Sequence, residues 1–168
     1  MTHPPVRSVC ILAPDGGTGK SLVALGLVDL FARRVRRVGV FRPVTRANPE
    51  DDQLVNLLLD HDGVDLPNDR CVGVTYDDVH ADPEAALTAI VERYQSVERD
   101  CDVVIIVGSD YTDVPNPTEL RFNARIATNL GAPVLLVVSA LGQTPDEVAQ
   151  LVAIADAELR QEHATAVG

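Results

Sequence analysis

The sequence predicts an α/β fold: a parallel sheet with helices on both faces, in a single domain over residues 1–168. Three observations predict it. Near-continuous apolar runs rich in Val and Ile recur along the chain, as in strands buried on both faces. Amphipathic stretches alternate with these runs and open on one repeated device, a capping residue followed by Pro and acids. A glycine-rich turn joins the first apolar run to the first helical stretch.

Taken in order, Val6–Ala13 (VRSVCILA) reads as the first buried strand. The turn that follows leads into a helix starting near Lys20. Arg37–Phe41 (RVGVF) is the second strand, and Asn48-Pro49-Glu50-Asp51 opens a helix after it. Cys71–Tyr76 (CVGVTY) is a weaker apolar run, read as a strand, with a helix opening at Asp82-Pro83-Glu84. Val103–Val107 (VVIIV) is a strand, and Asn116-Pro117-Thr118-Glu119 opens the next helix. Pro133–Ser139 (PVLLVVS) is a strand, and Thr144-Pro145-Asp146-Glu147 opens the last helix with capping-box spacing between Thr144 and Glu147. In each start the cap accepts a bond from an unpaired amide, and proline costs nothing at the first helical position. The acids complement the positive end of the helix dipole. Strand and helix alternating in this way imply right-handed crossovers. Ala164–Gly168 reads as the beginning of a further strand, so the expectation is one domain of a longer protein.

The bulk properties bound the function. A net charge of −11 argues against nucleic acid as a partner, because binding a phosphate backbone needs a basic surface. No apolar run reaches the roughly 20 residues of a membrane helix, and MTHPPVRSV is not a signal peptide, so no membrane partner and a cytoplasmic location are expected. Cys10, Cys71 and Cys101 form no C-x-x-C pair and read as buried free thiols. The four histidines are scattered without metal-ligand spacing. The basic cluster Arg33–Arg37 falls at the end of the first helix, where cations complement the dipole, and reads as a solvated helix end.

The chemistry concentrates in ILAPDGGTGKS. Gly19-Lys20-Ser21 closes the G-x-x-x-x-G-K-[ST] pattern of a phosphate-binding loop, and the strand–loop–helix context is the one that pattern needs. Glycines let successive amides point inward, and the helix dipole adds to the attraction for anions. The candidate phosphate or nucleotide ligands are Asp15, Gly16, Gly17, Thr18, Gly19, Lys20 and Ser21. Lys20 would reach the outer phosphates and Ser21 would hold Mg²⁺, so Mg-ATP or another nucleotide or anion is the expected ligand. Pro14 stands where the pattern has its first glycine, and it removes one amide donor.

The loop resembles that of dethiobiotin synthetases, G-T-D-x-x-x-G-K-[ST], with Ala13, Pro14 and Asp15 on the first three positions and Gly19-Lys20-Ser21 on the last. Partitioning-type ATPases carry a lysine where Asp15 stands, so Asp15 speaks against that branch. In VGVFRPV, Arg42 takes the place of the lysine that serves the substrate in those ligases. Arginine can hold an anion but cannot act as a proton-shedding or carbamate-forming amine. The ligases end the VVIIV-equivalent strand in Glu-Gly, whose acid helps bind metal. Here Gly108-Ser109-Asp110 follows, which leaves Asp110, or Asp113, as the metal candidate beside Ser21.

Together, APDGGTGKSLVALGL, VGVFRPVTR, RCVGVTYDD, VIIVGSDYTDV and PTELRFNARIATNLGAPVLLVV resemble the N-terminal domain of long-form phosphate acetyltransferases of actinobacterial type. The resemblance implies a P-loop, dethiobiotin-synthetase-like three-layer fold. It implies a parent chain whose middle and C-terminal domains would be the partners, with acetyl transfer between coenzyme A and phosphate in the last of them. It implies a homo-oligomer, and a role for this domain in assembly and metabolite regulation, with no catalytic residue of its own. The alternative is an ATP-dependent ligase of the dethiobiotin synthetase or cobyrinic acid a,c-diamide synthase type.

Overall fold

A computed structural model describes residues 8–46, 48–109 and 117–167. Five strands, β1 (Ser8–Leu12), β2 (Val38–Thr45), β3 (Val72–Thr75), β4 (Val103–Val107) and β5 (Val134–Leu136), form one sheet in the order β3-β2-β4-β1-β5. Every pairing is parallel. The helices are α1 (Lys20–Ala32), α2 (Gln53–Leu59), α3 (Tyr76–Ala81), α4 (Pro83–Glu98), α5 (Pro117–Asn129) and α6 (Pro145–Gln161). This is the P-loop NTPase-like α/β fold expected from the sequence.

Strand alternation divides the core in two. Val103, Ile105 and Val107 face one way, toward Ala24 and Val28 of α1 and Val55 and Leu58 of α2. Val104 and Ile106 face the other way, toward Ile90 and Tyr94 of α4 and Leu120 and Ile126 of α5. Phe41 and Tyr94 meet edge-on at 5.6 Å in this second layer. Because both faces are covered, the strands are apolar at most positions, which is why they were legible as near-continuous runs.

β2 runs past Phe41 to Thr45 and carries Arg42 and Pro43 inside the sheet. The Arg42 amide donates to the Cys71 carbonyl at 2.7 Å, so the Pro43 nitrogen faces the β4 side, beyond the last pair Phe41–Ile106. A proline fits there because no ladder bond is lost. On the other side, a Cβ at Gly73 would collide with the Pro43 carbonyl. The glycine that weakens the apolar signal of β3 is thus what lets β3 lie against β2.

Three local expectations change. Asn48-Pro49-Glu50-Asp51 does not open an α-helix; Pro49–Asp51 is a 3-10 turn, and the cap of α2 is Asp52, which accepts from the Leu54 and Val55 amides. The apolar period of Leu54, Val55 and Leu58 begins only after Asp52, and burial of that face decides the start. Residues Tyr76–Ala81 form a short helix that the reading of Cys71–Tyr76 as a strand hid; its Thr75–Asp78 capping box ends β3. β5 stops at Leu136, with one further bond from the Val137 amide to the Leu12 carbonyl at 2.8 Å. The caps Asp82 and Thr144 are placed as the sequence expects, and Asn116 lies outside the described residues. Ala166 forms a parallel bridge with Val134, so the segment after α6 does take up strand pairing beside β5.

Candidate functional site

The order β3-β2-β4-β1-β5 sets the C-terminal ends of β1, β2 and β4 side by side. Ligands in open α/β sheets bind at this edge. The Gly108 amide donates to the Ile11 carbonyl at 3.0 Å, so the residue after β4 lies next to the start of the glycine loop.

The loop leaves β1 after Leu12 and enters α1 at Lys20. Gly17 and Gly19 have φ of +71° and +84°, a left-handed backbone that favours glycine. A Cβ at either position would meet nothing within 4 Å, so it is the backbone conformation, not crowding, that selects glycine. α1 has no side-chain cap and no acid in its first turn, so neither offsets its positive end.

Lys20 is buried and turns inward, its Nζ donating to the Gly108 carbonyl at 2.5 Å. Arg42, also buried, donates from Nη1 to the same carbonyl at 2.5 Å and to that of Val107 at 3.3 Å. Its Nε lies 3.4 Å from the Asp52 carboxylate. The structure therefore joins Lys20 and Arg42 through one backbone oxygen. Arg42 braces β2, β4 and the start of α2. Ser21 is exposed at the loop mouth. Asp110 and Asp113 lie outside the described residues, and among the described residues no cluster of three His, Cys, Asp or Glu side chains is placed to hold a metal.

Two atoms of the loop, Asp15 Oδ1 and Thr18 Oγ1, are buried without a hydrogen-bond partner. Burying a polar atom unpaired is unfavourable, so water or a bound group must complete the bonding of these two oxygens. Glycine backbone, orphan oxygens, the inward lysine and an uncapped helix start together fit a phosphate-bearing ligand.

Sequence reading missed two residues of the site. Asp52 both caps α2 and holds Arg42. Asn123, buried in α5, accepts from the Ser109 amide at 3.1 Å and donates to the Ser109 carbonyl at 3.1 Å. A Cβ at Gly108 would strike Leu12 and come within 2.9 Å of Asn123 Oδ1. Asn123 thereby fixes the chain end whose carbonyl holds both cations. Its signal was a lone amide among the core positions Leu120, Ala124 and Ala127.

The cysteines are free and buried, as expected. Burial pushes the Cys10 thiol up to about 12 against the opposing pull of Lys20, and the Cys71 thiol up to about 12 as well, so neither is a nucleophile at neutral pH.

Comparison with known proteins gives the family. A model described as an AAA domain matches residues 7–168. The chain belongs to the AAA domain family. Among curated proteins of related sequence, a phosphate acetyltransferase of Nitratidesulfovibrio vulgaris is 32% identical over 140 residues, covering 79% of this chain and 20% of the relative. A phosphate acetyltransferase of Synechocystis sp. is 27% identical over 179 residues, covering 96% of this chain and 24% of the relative. One of Pseudomonas aeruginosa is 28% identical over 154 residues, covering 85% and 21%. This AAA domain chain thus spans a fifth to a quarter of the length of the relatives it matches. Solved structures of like fold include the BceF tyrosine kinase domain, with TM-score 0.56 and 19% identity over 95% of this chain and 66% of that one. The kinase domain of Escherichia coli tyrosine kinase ETK has TM-score 0.63 and 18% identity over 97% and 66%. At these identities the kinase domains establish the fold alone. No helix among the described residues is long and apolar enough to cross a membrane.

Proposed function

We propose that this AAA domain is the regulatory and assembly module of a cytoplasmic phosphate acetyltransferase, the N-terminal part of a longer, homo-oligomeric chain of the actinobacterial long form. The parent reaction would move acetyl between coenzyme A and phosphate in domains outside this chain. The observation that carries the reading is the similarity of 79–96% of the chain to phosphate acetyltransferases from three different bacteria.

The loop supports a sensing role over a catalytic one. A bound phosphate would take the amides of Gly16 to Ser21, with Thr18 as a side-chain donor and Lys20 as the counter-charge. A Mg²⁺ ion accompanying a nucleotide would be held by Ser21 and would supply charge neutralisation to the phosphates. Arg42 is engaged by the Val107 and Gly108 carbonyls and by Asp52, and no guanidinium can shed a proton or form a carbamate, so this corner lacks the amine that a ligase of dethiobiotin synthetase type would use. That ligase reading is the second one, favoured by Asp15 and its unpartnered oxygen.

Calorimetry with Mg-ATP and with inorganic phosphate separates the two. Submillimolar Mg-ATP binding with hydrolysis in the presence of a carboxylic acid acceptor would establish the ligase and sink the regulatory reading. Deleting residues 1–168 from the parent enzyme is expected to change its oligomeric state or its response to metabolites while acetyl transfer persists. If transfer, assembly and metabolite response all survive deletion unchanged, the proposal fails.

A further inference from the structure

The stretch PTELRFNARIATN builds α5, yet the loop site uses only Asn123 of it. On the face of the sheet opposite α1, α5 closes a cavity of about 460 Å³ with α3, the start of α4 and the end of β2. The volume lies in the range of small-molecule sites. Val44, Tyr76, Val79 and Phe122 give it apolar walls. Arg121 and Arg125, one helical turn apart, supply its cationic side, and the carboxylates of Glu119 and Glu162 line it as well, so only an arginine not already neutralised by a buried carboxylate can serve a ligand.

The two arginines are held differently. Arg121 lies 3.5 Å from Glu158 and 3.4 Å from Glu162, both carboxylates about three-quarters buried. Arg125 meets Glu84 at 2.7 Å, and the Glu84 side chain is 75% exposed. An ion pair with so exposed a partner contributes little in water, so Glu84 is readily exchanged for another carboxylate. A ligand carboxylate reaching Arg125 from inside the cavity would bring its apolar body against Phe122, Val79 and Val44, contacts that Glu84 does not make. Inorganic phosphate offers no such body, and the charge of −11 on the chain disfavours anions that bring nothing else.

We propose that this cavity is a second binding site, separate from the glycine loop, for a carboxylate with a medium-chain acyl or aryl body, gripped by Arg125 in exchange for Glu84. The site does not rest on the function proposed above, and absence of Mg-ATP binding at the loop would leave it standing.

The test is an amide NMR titration of the full chain with octanoate, with 1-octanol as the uncharged probe. Saturable shifts are expected at Val79, Phe122 and Arg125 with octanoate, and Gly17 to Ser21 stay still. Arg125→Gln weakens octanoate by about tenfold or more, the size of a lost charge-assisted hydrogen bond. Glu84→Gln tightens it by freeing Arg125. Equal affinity for octanoate and octanol, unchanged octanoate affinity in Arg125→Gln, or shifts confined to the glycine loop would each overturn the proposal.

Discussion

Gly19 and Thr144 occupy the same structural position, the residue before a helix that follows a strand at the same edge of the sheet, and they are built in opposite ways. Thr144 accepts from the Glu147 amide at 3.3 Å, and the Glu147 carboxylate accepts in turn from the Thr144 amide at 2.7 Å. Asp52, Thr75 and Asp82 cap their helices likewise with side-chain oxygens. Gly19 has no side chain to offer, α1 has no first-turn acid, and Lys20 brings a positive charge to an end that is already positive. Capped helices satisfy their own ends. α1 has neither a side-chain cap nor a first-turn acid, the arrangement that would suit an external anion if the loop takes one.

The largest expected effect tests the cap that also serves the site. Asp52→Ala removes the acceptor for the Leu54 and Val55 amides and one partner of Arg42. We expect a loss of about 2 kcal/mol in chemical denaturation, the top of the range for a cap. Asp52→Asn keeps the cap and loses the charge, so it should recover most of that stability. Equal losses in the two variants would mean that the ion pair with Arg42, and not the cap, carries the energy.

Thr144→Ala tests a cap with no second duty, and about 1 kcal/mol is expected. The capping acids also set an acid limit. Bonds from Thr144 hold the Glu147 carboxyl below its ordinary range, and bonds from Thr75 do the same for Asp78. Arg70 acts likewise on Asp100, 2.6 Å away. A folded pKa below the unfolded one contributes stability that is present above the unfolded pKa, about 4 for carboxylates, and is lost as pH falls through the folded value. Thermal melts should therefore be insensitive to these groups from neutral pH down to about 5 and fall below about 4. Thr144→Ala removes only the hydroxyl bond and leaves the amide bond to Glu147, whereas Glu147→Gln removes the titrating carboxyl, so the acid limb should be shallower in Glu147→Gln. A limb as steep in Glu147→Gln as in the parent would mean that the Glu147 bonds contribute nothing.

How much of this was legible follows from how local each signal is. The loop was readable because its chemistry sits in seven consecutive residues, Asp15 to Ser21, whose types are dictated by backbone shape and charge. The strands were readable where burial on both faces makes them continuously apolar, and β2 was read short because the buried Arg42 and Pro43 interrupt that pattern. Asp52 was passed over because Asn48-Pro49 carries a cap signal of its own, and only burial of Val55 and Leu58 decides between them. The Thr75–Asp78 box was hidden inside a run that looked like strand. The meeting of Lys20 and Arg42 on Gly108, and the Asn123 clamp on Ser109, join residues up to 88 positions apart. No window of sequence holds both partners, and only the strand order brings them together.

The smallest expected effect has the opposite sign from the others, and it bears most directly on the comparison. Ser21 is exposed in the first turn of α1, where an acid would favourably meet the helix dipole. If that turn is left bare for a ligand and not for folding, Ser21→Glu should stabilise the empty protein by about 0.3–1 kcal/mol, raising its melting temperature. The same carboxylate would sit where an incoming phosphate needs positive potential, so any binding of Mg-ATP or phosphate at the loop should be lost. At the Thr144 end the position is already filled by Glu147, so a further acid there should change little. A destabilised Ser21→Glu variant would mean that the end of α1 is already neutralised from within the fold. The bare helix start would then be a relic of the fold with no remaining call on an anion.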